Sequence, residues 1–114
     1  MTIDMTFPLN SIWKLERKID KSPFEPVFKV KIMKSNEPHF IGKFTDKNGD
    51  VTFYGESRRN QREIINIKQY QENPIYYAFY HGMEVPTGLI RYIGRWVDVN
   101  GKDGTFELVM LSLN

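Results

Sequence analysis

Short stretches of alternating apolar and polar residues run along the whole chain, separated by proline, glycine and asparagine. Residues 27–34, for example, place Phe28, Val30 and Ile32 on one face and lysines on the other, which is the period of a half-buried strand. No segment between the stretches is long enough for a crossover helix, so neighbouring strands must be antiparallel. The pattern predicts an all-β fold, a single-domain up-and-down antiparallel barrel of about eight strands that hides its edges by closure.

Two stretches, residues 12–19 and 63–70, also fit a helix. In the second, Asn60 and Glu63 have the spacing of a capping box. We nevertheless expect both to be strands. In the first, Trp13 and the apolar residues that follow it alternate with charged residues, and the second is rich in β-branched isoleucine.

Turn and glycine positions support a closed barrel. Asn48–Gly49 is the strongest hairpin signal in the chain. Gly42, Gly55 and Gly94 fall on the predicted interior faces, where glycine allows the bends that close a small barrel. The segment Thr6 to Ser11 precedes the first strand, and we expect it to cover one end of the barrel.

Composition narrows the function classes. The chain has no cysteine, which excludes disulfides, thiolate metal sites and cysteine nucleophiles. Residues 1–10 do not form a signal peptide and no apolar run reaches the length of a bilayer span, so we expect a cytoplasmic protein without a membrane partner. The net charge of +2 is too small to indicate a nucleic-acid surface, although residues 11–34 carry seven basic against three acidic residues.

The sequence contains no catalytic or metal motif. His39 and His81, the two histidines, do not have the spacing of zinc ligands. Gly55-Glu56-Ser57 lacks the strand-to-helix turn of a nucleophile elbow. We therefore expect no enzyme activity, no catalytic residue, no metal and no cofactor.

The first strand and the last hairpin contain a recognisable set of residues. The hairpin has the form G-x-W…D-G-x-F-x-L, and the set consists of Trp13, Leu15, Gly94, Trp96, Gly104, Phe106 and Leu108. In these residues the chain resembles the calycin group, which comprises the lipocalin-like, fatty-acid-binding and avidin-like barrels. Ser11 stands where the lipocalin signature has glycine, and the biotin-binding pattern of avidins is not evident, so no residue-level ligand site carries over. The resemblance implies one lipocalin-like domain over residues 1–114, a closed or nearly closed barrel with a ligand-sized mouth.

An eight-stranded barrel is either filled by side chains or holds one small ligand. The predicted function is non-enzymatic binding of a small apolar or amphipathic molecule, in the barrel interior or at its mouth. Arg17 falls on the same face of its strand as the apolar residues. It is the predicted polar anchor for a ligand, because a guanidinium can donate two hydrogen bonds to one carboxylate or phosphate. Ser57 and Gln69 are also polar residues on an apolar parity. The binding candidates are Trp13, Arg17, Phe28, Phe44, Phe53, Tyr77, Phe79, His81, Tyr92 and Trp96.

Two other functions stay open. In the first, the outer face of the barrel makes protein contacts and the aromatic residues simply fill a core. In the second, Tyr54, Tyr76 and Tyr80 form a platform on which single-stranded nucleic acid stacks; we expect no such partner, given the small net charge.

The last strand predicts a homodimer or higher homo-oligomer. If Phe106, Leu108 and Met110 face inward, the intervening aliphatic residues form an exposed row of the kind that marks an interface. The interface candidates are Val109, Leu111 and Leu113. Alternatively, Thr6 to Ser11 covers this row, or Leu113 frays at the terminus.

Overall fold

A computed structural model of the protein describes residues 7–19, 28–36, 38–46, 49–58, 62–85 and 90–112. The described residues form eight antiparallel strands in chain order, and the eighth pairs with the first to close a barrel. They contain no helix, so the predicted all-β up-and-down barrel is confirmed, and so are strands at 12–19 and 63–70. The strands are β1 Ile12–Ile19, β2 Phe28–Asn36, β3 His39–Asp46, β4 Gly49–Arg58, β5 Glu63–Tyr70, β6 Tyr77–Glu84, β7 Arg91–Asp98 and β8 Asp103–Ser112.

The N-terminal segment fills one end of the barrel. Phe7 is 2% exposed, and its ring stacks on Phe40 with centroids 4.0 Å apart and lies 4.4 Å from the Trp13 ring. Backbone hydrogen bonds to Ile32 hold the chain there, and the Ser11 hydroxyl accepts a bond from the Trp13 indole at 2.9 Å. The expected cover is therefore confirmed for residues 7–11; Thr6 lies outside the described residues.

The barrel closes around glycines that lie opposite large aromatic rings. On the β7–β8 pair, Trp96 faces Gly104 and Phe106 faces Gly94. A Cβ built at Gly104 would lie 1.7 Å from the carbonyl oxygen of Lys18, so no other residue fits there without moving the backbone. The Trp96 indole reaches across to β1 and donates to the same carbonyl oxygen at 3.1 Å.

The predicted hairpin turn is described only in part. Asp46 pairs with Gly49, so residues 47 and 48 separate β3 from β4, and these two lie outside the described residues. Gly49 has φ of 122°, which is unfavourable for side-chain-bearing residues. A glycine signal at this position is thus confirmed.

The inward and outward faces of β5 were predicted wrongly. The described strand turns Ile64, Asn66 and Lys68 into the barrel, whereas Ile65 and the residues in phase with it, including Gln69, face outward. Both phases of this stretch contain isoleucine, so the pattern alone does not select one. Pairing with β4, which places Asn66 opposite the inward-facing Gly55, decides it.

The same inversion continues on β6. Tyr80 is 1% exposed inside the barrel, while Phe79 is 47% exposed on the outer face. Tyr77 and His81 share the outward phase of Phe79, so the expectation that Phe79 faces the interior was wrong. Tyr77 begins the strand and lines the cavity at the open end of the barrel. This strand is an almost continuous run of aromatic and apolar residues, so its sequence does not show which positions alternate inward and outward.

We expect Gly104→Ala to lower the free energy of unfolding by about 3 kcal/mol or more, at the upper end of the effects of overpacking. The added methyl group would meet the Lys18 carbonyl at the point where β8 pairs with β1. Urea unfolding followed by tryptophan fluorescence measures the loss. Thr105→Ala is the control, since Thr105 is an exposed neighbour on the same strand; equal stability of the two variants would contradict the closure argument.

Candidate ligand-binding site

The end of the barrel opposite Phe7 holds a cavity of about 460 Å³. The segment 71–76 between β5 and β6 and the turn after β7 contribute to its wall. Its inner part is lined by Arg17, Lys68, Tyr70 and Ala78, all of which project from the barrel-facing side of their strands. A volume of this size is in the range of small-molecule sites.

Arg17 lies where the cavity meets the aromatic core. Its guanidinium carbon is 4.2 Å from the centroid of the Trp96 ring, and Nη1 donates to the Tyr80 hydroxyl at 3.4 Å. Tyr80 in turn packs edge-on against Phe53 and Phe106. Cation–π stacking and the phenol bond therefore orient Arg17 in the barrel, as the parity of β1 predicted.

Lys68 is a second cation inside the barrel, and it is only 4% exposed. Its ammonium lies 3.8 Å from Oδ2 of Asp46, whose side chain is 5% exposed, and 5.1 Å from the centroid of the Tyr70 ring. Tyr70 donates its phenol proton to the same Asp46 oxygen. The three side chains form one buried polar cluster, in which the ammonium and the carboxylate offset each other's charge.

Two of the three acidic residues described at the cavity wall, Asp50 and Asp98, accept hydrogen bonds at its rim. Oδ1 of Asp98 accepts the backbone N–H groups of Asn100 and Lys102, each at 2.9 Å. Asp50 accepts the Thr45 hydroxyl at 2.7 Å on the exposed edge of the β3–β4 hairpin. The cations thus project into the barrel, whereas the carboxylates of Asp50 and Asp98 make structural bonds near the opening and Glu72 is exposed there.

Two further polar side chains are buried deeper. Ser57 is 4% exposed and Asn66 is 1% exposed, and their side-chain oxygen and nitrogen atoms have no hydrogen-bond partner within the described residues. Both face the interior, Ser57 as its parity predicted. Each such group costs about 1–3 kcal/mol of stability, but neither lines the cavity.

Most aromatic binding candidates belong to the packed core. Trp13 and Tyr92 lie beside Phe7 at the filled end, and Phe53 and Trp96 pack around Tyr80 in the middle of the barrel. At the open end, Phe28 and Phe44 stack on each other at 5.0 Å, with Lys68 at 5.8 Å from each centroid. Of the predicted set, Arg17 and Tyr77 line the cavity.

Several predicted positions lie outside the barrel. Phe79 is exposed, and His81 binds Glu63 on the outer face through Nε2 at 2.6 Å. The interior position expected for Phe79 and the ligand contact expected for His81 at the barrel mouth were therefore wrong. Their strand is inverted relative to the prediction, because its pairing with β5 places Phe79 opposite the outward-facing Ile67.

The predicted oligomer interface on β8 is also corrected. Val109 is only 7% exposed, because it lies between Lys14 of β1 and Arg91 of β7 in the sheet register. Leu111 is 50% exposed, and Leu113 lies outside the described residues. Val109 is therefore not part of the exposed row that was expected.

The tyrosines proposed for nucleic-acid stacking face three different surroundings. Tyr54 is on the outer sheet face, Tyr76 is at the rim of the cavity and Tyr80 is inside the core. They cannot form one platform. The described residues contain no metal-binding group of three or more histidine, aspartate or glutamate side chains, and no helix of theirs could span a membrane.

Sequence reasoning missed Lys68, Asp46 and Tyr70. Lys68 and Tyr70 share the phase of Ile64, so the signal was present in β5. It was overlooked because the rival phase carries two isoleucines, and a buried lysine is rare without a partner. Asp46 ends β3 two residues before the Asn48–Gly49 hairpin signal, and an aspartate at such a position is typical of a turn.

Comparison with known proteins finds no matching protein-family model, no matching curated protein and no matching solved structure. The resemblance to the calycin group stays a prediction that the barrel architecture alone does not test. The function must therefore be argued from the cavity and the surfaces themselves.

We expect Lys68→Met to lower the free energy of unfolding by about 3–5 kcal/mol, because it removes the ammonium that faces the buried Asp46 carboxylate. Adding Asp46→Asn should recover most of this loss, since the amide oxygen keeps an acceptor for Tyr70 without the charge. Urea unfolding of the two single variants and the double variant measures the coupling. Equal stability of Lys68→Met and the double variant would show that the pair is not coupled.

Proposed function

We propose that the protein is a non-enzymatic small-molecule-binding barrel whose ligand enters the open end and is an amphipathic molecule with one anionic group. The observation that carries this proposal is the presence of Arg17 and Lys68 at the inner part of one open cavity. The filled opposite end excludes a ligand that passes through the barrel, because Phe7, Trp13 and Phe40 occupy that space.

Two cationic side chains at the inner part of the cavity favour an anionic group there. Arg17 and Lys68 both project into this part, and Lys68 also faces Asp46. Because the guanidinium of Arg17 is stacked on an aromatic ring, its N–H donors keep one orientation. Two of them can bind the two oxygens of a carboxylate or phosphate. The Tyr80 hydroxyl beside it adds a neutral polar contact.

The rim of the cavity favours an apolar ligand body. Tyr76 and Val99, which line the cavity, are 48% and 42% exposed, and Ile75 next to Tyr76 is 71% exposed. Exposed apolar side chains around a polar interior suit a ligand that enters with its charged group first. The body of the ligand would then pack on Tyr76, Tyr77 and Val99, and its burial would supply most of the binding energy.

The exposed apolar outer face of β3–β7 favours protein contacts as a second function, and such contacts do not compete with binding at the mouth. The predicted cytoplasmic location is part of this proposal and stays a prediction. A free cytoplasmic metabolite with a carboxylate or phosphate would meet the chemical requirements of the cavity.

We expect saturable binding of the fluorescent aromatic anion 1-anilinonaphthalene-8-sulfonate, with displacement by decanoate or benzyl phosphate. Arg17→Met keeps an apolar stem on Trp96 but removes the charge. It should weaken binding about 10- to 100-fold, which corresponds to the roughly 1.5–3 kcal/mol of a charged hydrogen bond. Fluorescence titration of the folded variants measures the effect.

Arg95→Met is the matched control, because Arg95 lies on the same barrel but faces outward and is paired with Asp103. It should bind the probe like the unmodified protein. If Arg17→Met and Arg95→Met bind equally well, the probe occupies the outer surface and the proposed site is wrong. The absence of saturable binding by all three anions would also contradict the proposal.

A further inference from the structure

We propose that the outer face of strands β3–β7 is the contact surface of a symmetric homodimer, so that a second copy of this chain covers it. The centre of the surface is a row of apolar side chains that lie directly opposite one another across five neighbouring strands. We call it the outer row; it consists of Ile41, Tyr54, Ile67, Phe79 and Val97.

Further apolar side chains lie on the same outer face as the row. Phe79 and Val97 are 47% and 44% exposed, and Ile65, which is in phase with Ile67 on β5, is 37% exposed. Met83 and Ile93 lie opposite each other, 46% and 44% exposed, with His81 and Arg95 between them and the row. Together the eight side chains expose on the order of 500 Å² of apolar surface on this face, a size at which such surface is often functional. With its polar surroundings, such a patch can approach the roughly 800 Å² that each partner buries in a standard interface.

The inverted strands explain why this surface needs a partner. In β5 and β6 the inward positions include Asn66 and Lys68, while the outward positions include Ile65, Ile67 and Phe79. A barrel strand whose outer face is in water normally has apolar residues at the inward positions and polar residues at the outward positions. The outer face of these strands therefore has the composition of a buried surface.

Charge favours a second copy as the occupant. The outer faces of β1 and β2 carry Lys14, Lys29 and Lys31, with Lys14 directly opposite Lys29. In the closed order of strands, β1 and β2 lie across the barrel from β5 and β6. Two copies that meet through the outer row keep these basic faces far apart, whereas contact through β1, β2 or β8 would bring them together.

The charged side chains next to the outer row are already paired within each chain. Glu63 binds His81 and lies 3.7 Å from Arg58, while Arg95 lies 3.3 Å from Asp103. A partner therefore needs no complementary charge of its own. The identical apolar surface of a second copy meets this condition. A hollow of about 410 Å³ beside the row, where β4 passes through Gly55, gives room for a side chain of the second copy.

The test compares Phe79→Lys with Leu111→Lys by sedimentation velocity at tens of micromolar protein. We expect the unmodified chain to be a dimer, and Phe79→Lys to raise its dissociation constant at least about 30-fold, the effect of losing a central aromatic contact. Leu111→Lys changes an equally exposed residue on β8 and should stay dimeric. A monomeric unmodified protein, an unchanged dissociation constant in the Phe79→Lys variant or a monomeric Leu111→Lys variant would each overturn the proposal.

Spin labels provide a second test that does not depend on disrupting the interface. The chain has no cysteine, so Val97→Cys and Lys14→Cys each take a single nitroxide label. Pulsed electron paramagnetic resonance should give a short distance between copies for the label at 97 and a distance greater than the barrel width for the label at 14. The reverse order, or no distance between copies at either site, would contradict a dimer through the outer row.

Discussion

The contact of Trp96 with Gly104 and the Lys18 carbonyl is the point on which the barrel depends. The indole lies opposite a residue without a side chain and donates a hydrogen bond to β1. It thereby joins the last hairpin to the first strand at the edge where the barrel closes. Closure removes free strand edges and leaves each side chain only two directions, into the barrel or out of it.

That constraint produces both functional surfaces. When β5 pairs with β4 in the closed register, Lys68 must enter the barrel and Ile67 must face outward. Pairing of β6 with β5 then sends Phe79 outward as well. One register therefore creates a polar inner cavity at the mouth and an apolar outer face on the same two strands. The first is suited to an anionic ligand and the second to a second copy of the chain.

Buried polar groups show how the barrel combines a stable core with a polar cavity. At the mouth, Lys68, Asp46 and Tyr70 satisfy one another, and the aromatic rings around them limit the access of water. Ser57 and Asn66 lie deeper and reduce the stability that the same positions would contribute if they were apolar. Stability therefore rests on the aromatic cluster around Phe7 and Tyr80, and the open end is free to carry a cavity.

The sequence by itself determined the number of strands, their antiparallel order, the closed barrel and the inward direction of Arg17, because these follow from period-two patterns and short turns. It did not determine the facing of β5 and β6. Ile64 and Ile65 give both phases of β5 an apolar residue, and the run around Phe79 contains almost no polar marker. Only the tertiary structure could decide, because a strand with two plausible faces takes its direction from the register of its neighbours, and a shift of one residue exchanges its inside and outside.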